Sequence, residues 1–137
     1  MEEFTNVFKL LSDKTRLRII WLLSKVRAKL CVCEIVDSLN QNQYNVSRHL
    51  RILKNAGLLK EEKEGRWVFY SIKYPINSFQ KLIFKTILSI PDEPFFLEGE
   101  RLKRRLKLRK NGKCIVGINS EEWQKISKEL EDKLKRR

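Results

Sequence analysis

Cys31 and Cys33 stand one residue apart in the stretch LCVCEI, residues 30–35, and Cys114 is the only other cysteine in 137 residues. The chain opens MEEFTNVFKL, an acidic start without the basic and apolar regions of a secretory signal. No apolar run approaches the roughly 18 residues of a membrane span. A cytoplasmic protein without a membrane partner is expected. There, neighbouring cysteines serve metal or redox chemistry rather than a structural disulfide. Successive helical residues turn by about 100°, so Cys31 and Cys33 would point about 200° apart within one helix. They can face one small ion only if Cys31 sits in extended backbone ahead of the first turn. A helix N-terminus also lowers thiol pKa, which predicts both as thiolates. The sequence offers no carboxylate pair, no Gly-rich phosphate loop and no nucleophile–base set on a plausible cleft, so no enzyme is expected.

The elements that must position the pair follow from periodicity. Phe4, Val7, Phe8 and Leu11 share one face of a first helix. Ser12 and Asp13 can cap a second, with Leu17, Ile20, Trp21 and Leu23 or Ser24 turned inward. A third, short helix runs from about Cys31 or Val32 to Leu39. Asn42 can cap a fourth, striped by Val46, Leu50 and Leu53 and stopped by Gly57. The period then changes to two: LLKEEKEGRWVFYSI reads as a hairpin with Glu64-Gly65 at its tip. Pro75 can start a helix over 76–90. Ile76, Phe79, Ile83, Ile87 and Ile90 form one apolar stripe there, and Leu82, Phe84 and Leu88 widen it. A second apolar side calls for a partner.

Residues 91–94, PDEP, read as a linker between a first domain, residues 1–90, and a basic C-terminal extension, 95–137. Around Asn111-Gly112 the extension reads either as a small hairpin or as a helix from about Glu100 to Lys110. Ser120 then caps a last helix with Trp123, Ile126, Leu130 and Leu134 on one face. The fold class is mostly α with a small β-hairpin wing: a winged helix-turn-helix, α-α-α-α-β-β-α, plus an extension ending in a helix.

Thirty Lys and Arg against seventeen Asp and Glu give a charge of +13, which suits nucleic acid or another anionic surface. In the fourth helix, Gln43, Tyr44, Asn45, Ser47, Arg48, His49, Arg51 and Lys54 lie between the core positions. Gln and Asn can pair with adenine and Arg with guanine, while Ser and Lys set register on phosphates. His49, the only histidine, is assigned by its motif position to DNA or phosphate rather than to metal. Tyr44 can serve DNA or helix packing. Lys63 and Arg66 flank the wing tip.

The stretches LSDKTRLRIIWLL and SRHLRILKNAGLLKEEKEGRWVFYSI resemble the ArsR/SmtB family of metal-responsive bacterial repressors over roughly residues 4–90. The resemblance implies a homodimer built from helices 4–11 and 76–90, bound to a double-stranded operator with imperfect two-fold symmetry. LCVCEI is similar to the cysteine box of the arsenic-sensing and cadmium/lead-sensing branches, which carries the soft ion onto Cys31 and Cys33. Val36 stands where the best-known arsenic sensors have a further cysteine. The first eleven residues lack the cysteines of cadmium sensors, and helix 76–90 lacks the Asp and His of zinc and nickel sensors. Cys114 remains as the candidate third ligand, from the same subunit or its partner; the alternative is a small apolar residue in a β-like stretch. Cadmium, lead and zinc generally want four ligands, whereas trivalent arsenic is content with three sulfurs. The expected effector is therefore As(III) or Sb(III), with no cofactor needed for folding. A thiol redox regulator, or a Cd/Pb sensor on the same pair, is the alternative.

Overall fold

A computed structural model describes residues 1–136. Helix α1 spans Glu2–Leu11, α2 Lys14–Val26, α3 Val32–Leu39 and α4 Gln43–Asn55. Strand β1 is Leu30–Cys31, β2 Leu59–Glu64 and β3 Trp67–Ile72. Helix α5 is Ser78–Leu88; a single 3-10 turn, Glu93–Phe95, leads into α6, Phe96–Leu106; α7 is Glu121–Lys135. The architecture is the expected winged helix-turn-helix with a helical extension. Among the described residues, no helix is long and apolar enough to cross a membrane.

The caps form where the sequence places them. Asp13 accepts from the Arg16 N–H at 3.0 Å, Asn42 from Asn45 at 2.8 Å and Ser120 from Trp123 at 3.1 Å. Gly57 takes φ +80°, which lets the Leu58 N–H reach the Leu53 carbonyl at 3.1 Å and turns the chain into β2. The core gathers Ile19, Ile20 and Leu23 of α2, Ile35 of α3, Leu50 and Leu53 of α4, and Tyr70 of β3. Trp21 is buried because Phe95 stacks on it, centroids 4.4 Å apart.

Four expectations are corrected. The sheet has three strands, ordered β1-β3-β2: Leu30 pairs with Tyr70 and Cys31 with Phe69. Two residues are too few to show an alternation. The wing turn is Gly65-Arg66, since Glu64 still pairs with Trp67. Pro75 does not start the fifth helix, so 76–90 shortens at both ends; the Asn77 side chain caps it by accepting from Gln80 N–H at 2.9 Å, while Gln80 Oε1 accepts from Ile76 N–H. Around Asn111-Gly112 neither reading holds whole. The helix starts and stops earlier than 100–110, and the hairpin shrinks to one bridge, Lys110 with Lys113.

The apolar residues of α5 divide. Phe84 and Ile87 are buried within the chain, whereas Leu82 is 60% exposed. Phe79 meets Phe4 and Phe8 of α1 edge-on, at 5.0 and 5.5 Å between centroids. Ile87→Glu is therefore expected to destabilise the fold by at least about 3 kcal/mol in urea titrations, because it buries an unpaired charge. Leu82→Glu should stay within about 0.5 kcal/mol of the parent at monomer concentrations.

Candidate functional site

Cys31 closes β1 and caps α3 in extended backbone, φ −68° and ψ 147°. Cys33 lies inside the first turn. This break in backbone geometry brings the two sulfurs 2.9 Å apart, where a continuous helix would hold them on opposite sides. Cys114 Sγ lies 3.3 Å from Cys33 Sγ, and the three sulfurs fall within 4.8 Å of one another. All three are buried and free, packed with Phe69 and flanked by Trp67 and Ile118 on the outer face of the sheet.

Two ion pairs bring Cys114 there from the extension. Glu34 of α3 is wholly buried; its carboxylate accepts from Arg109 Nε at 2.6 Å and Nη2 at 2.7 Å, and from Cys31 N–H at 2.8 Å. Arg109 also donates to the Lys29 carbonyl at 3.2 Å. One turn on, Asp37 accepts from Arg105 Nε at 2.7 Å and Asn119 N–H at 3.0 Å. Arg105 donates onward to the carbonyls of Val116, 2.6 Å, and Gly117, 3.3 Å. The loop between is folded back by Asn111 and Gly112, both left-handed at φ 52° and 72°.

The thiols are not equivalent, which corrects the expectation of two thiolates. Hydrogen bonding from the Cys33 thiol lowers Cys31 to about 6, helped by the Cys33 backbone N–H and opposed by burial. Donating to Cys31, and being buried beside it, pushes Cys33 up. Burial raises Cys114 as well. Burial pushes the Asp37 carboxyl above its ordinary range, with Arg105 and Asn119 pulling the other way.

The residues chosen for DNA separate into groups. Gln43, Tyr44, Arg48, Arg51 and Lys54 are exposed on α4, and Lys63 and Arg66 are exposed at the wing. Asn45 and Ser47 are half-buried; Asn45 donates to Gln41 Oε1 at 2.7 Å and accepts from Arg48 at 3.1 Å. Arg66 lies over the Trp67 ring, 4.6 Å from its centroid. His49 turns inward: it is buried, with Arg16 Nη1 3.1 Å from Nδ1. Burial pushes its pKa down and the guanidiniums of Arg48 and Arg16 add to this, against the pull of Asp13.

Gln43, Ser47, Arg51 and Arg66 line a cleft of about 450 Å³ between α4 and the wing, and Cys31 and Cys33 line the same cleft. The thiol cluster and the exposed face of α4 are thus adjacent. Sequence reasoning missed Glu34, Asp37, Arg105 and Arg109. The signal was two carboxylates three residues apart in a short helix whose other residues, Ser38 excepted, are apolar, which asks for buried partners.

Comparison with known proteins places this geometry among relatives. Residues 13–61 match the family described as "Bacterial regulatory protein, arsR family". The arsenical resistance operon repressor of Escherichia coli K12 is 47% identical over 98 residues, 72% of this chain and 77% of the relative. A cadmium resistance transcriptional regulatory protein CadC homolog of Staphylococcus aureus is 43% identical over 70 residues, 51% of this chain and 57% of the relative. Among solved structures, the homodimeric winged helix-turn-helix DNA-binding domain Mb0332 of Mycobacterium bovis aligns with TM-score 0.54 and 26% identity, over 67% of this chain and 81% of that one.

Arg109→Gln tests how Cys114 is held. With Glu34 left short of its partner the loop should open more often. Cys114 is then expected to react with a disulfide reagent about tenfold faster, equivalent to about 1.4 kcal/mol less resistance to opening, while far-ultraviolet circular dichroism stays unchanged.

Proposed function

The chain belongs to the ArsR family of bacterial regulatory proteins, and on that footing we propose that it is a repressor released from its operator by As(III) or Sb(III) held on Cys31, Cys33 and Cys114. The arsenical and cadmium resistance regulators among its relatives support a metal-responsive DNA-binding repressor, and the family is one of transcriptional regulators rather than enzymes. The observation that carries the ion is the cluster itself: three buried sulfurs within 4.8 Å. Among the described residues, no histidine or further carboxylate joins that group. Glu34 is close by but committed to Arg109 and the Cys31 N–H. A three-sulfur set suits trivalent arsenic or antimony, which keep a lone pair, better than zinc or cadmium, which seek a fourth ligand.

In this reading residues 1–90 read the operator and carry the cysteine pair, and residues 95–137, beyond the 91–94 turn, deliver the third thiol. Gln43, Asn45, Arg48 and Arg51 read or brace base edges; Tyr44, Ser47, Lys54, Lys63 and Arg66 meet the backbone. His49 acts from behind α4, orienting Arg48, 3.4 Å from its Nε2. Seating an ion among sulfurs that already stand within 4.8 Å of one another would shift β1 and the first turn of α3. These are bonded to the wing's central strand on one side and packed on α4 on the other. A tenfold loss of operator affinity needs only about 1.4 kcal/mol of coupling.

The exposed apolar edge of α1 and α5, with Phe8 at 59% and Leu82 at 60%, supports a homodimer like that of the Mycobacterium bovis neighbour. Two recognition helices would then meet half-sites about 34–36 Å apart.

Titrating reduced protein on an operator fragment tests the ion. Arsenite should release the parent, while Cys31→Ser and Cys33→Ser bind DNA normally and ignore arsenite. Cys114→Ser should bind arsenite more weakly with operator affinity unchanged. Release by cadmium but not arsenite, or only by peroxide, would replace the ion or the chemistry. Sedimentation tests assembly: Leu82→Glu should be a folded monomer that has lost operator binding.

A further inference from the structure

Along the side of α5 that carries Lys81, Lys85 and Leu88, the C-terminal part of α2, the end of β3 and the Tyr74-Pro75 segment border a cavity of about 900 Å³. That is within the range of small-molecule pockets, about 300–1,000 Å³. Leu23, Ile72, Tyr74, Pro75, Phe84 and Leu88 give it a mainly apolar wall. Five cations line it: Lys29 is taken by Glu62 and Glu64, whereas Arg27, Lys73, Lys81 and Lys85 are all exposed and form no ion pair among the described residues. The acid beside them, Glu62, is already engaged by Lys29 and Lys60. Ser24 also lines the cavity. It is 7% exposed, and its hydroxyl has no hydrogen-bond partner, a state that a ligand oxygen or an ordered water would relieve.

We propose that this cavity binds an amphipathic organic anion as a free monomer, a medium-chain carboxylate in class, with its chain along the apolar wall and its carboxylate among the lysines. An apolar wall demands an apolar body, and four cations without acidic partners at its mouth demand a negative head. A nucleotide or sugar would leave most of its polar groups unpaired against such a wall. DNA is served elsewhere, since no residue of α4 or of the wing tip lines the cavity. The site shares no lining residue with the thiol cleft, so it stands independently of the ion reading.

Calorimetric titration of the full-length chain with decanoate, below its micellar concentration, tests the site. One decanoate per chain is expected, with decyltrimethylammonium bound at least about tenfold more weakly. Lys81→Glu with Lys85→Glu should lower decanoate affinity about tenfold or more. The same charge change at Lys125 and Lys128 on α7 should not. Leu88→Trp, which fills the wall, should weaken decanoate without altering net charge, and Cys31→Ser should bind it like the parent. The proposal is overturned if decanoate does not bind, if the two double reversals lower its affinity equally, or if only phosphatidylglycerol vesicles and not the free acid are bound.

Discussion

Glu34 and Asp37 are buried carboxylates on a helix of eight residues, and each is met by an arginine from beyond residue 100. Removing a carboxylate and a guanidinium from water costs several kcal/mol each. That cost is recovered only when the geometry is good and the remaining lone pairs and protons are used. Here they are used. The Glu34 oxygens take two guanidinium nitrogens and a backbone N–H, and Asp37 takes one guanidinium nitrogen and a backbone N–H. Helix α3 therefore depends electrostatically on the extension, because losing either arginine would strand a buried charge. The same contacts hold the strand before Cys31 through the Lys29 carbonyl, and the segment after Cys114 through the carbonyls of Val116 and Gly117.

That constraint turns a pair of thiols into a group of three. It also fixes where the group sits, behind the cleft between α4 and the wing. From Cys31 to the wing's central strand is one residue pair, Cys31 with Phe69, and α3 packs directly on α4. A displacement at the sulfurs has little structure to cross before it reaches the face proposed to read DNA. The route is short because β1 ends, and α3 begins, at the cysteines themselves.

Helix α5 shows how eleven residues divide among several neighbours. Phe84 and Ile87 face the core, Phe79 meets the aromatic edge of α1, and Leu82 is left bare. Lys81, Lys85 and Leu88 border the cation-rimmed cavity. A helix that meets the core, the edge of α1 and a cavity wall on different sides cannot show a single clean stripe, and this is why its pattern reads as apolar on more than one side.

What the sequence by itself determined is local. The caps at Asp13, Asn42 and Ser120, the stop at Gly57 and the change of period at the wing all depend on residues within a few positions of one another. The extended backbone at Cys31 was legible too, because two thiols two residues apart cannot meet on a helix. The division of labour along α5, the arginines that hold α3 and the inward turn of His49 were not. Cys33 and Cys114 are 81 residues apart, Glu34 and Arg109 75, and Asp37 and Arg105 68. In the sequence, Arg105 and Arg109 belong to a basic run in which every side chain looks equally fit for solvent. Only the landing of α6 on α3 decides which of them lose their water. A guanidinium without water keeps its charge and must find a carboxylate, and that desolvation is a property of the assembled fold, not of any segment.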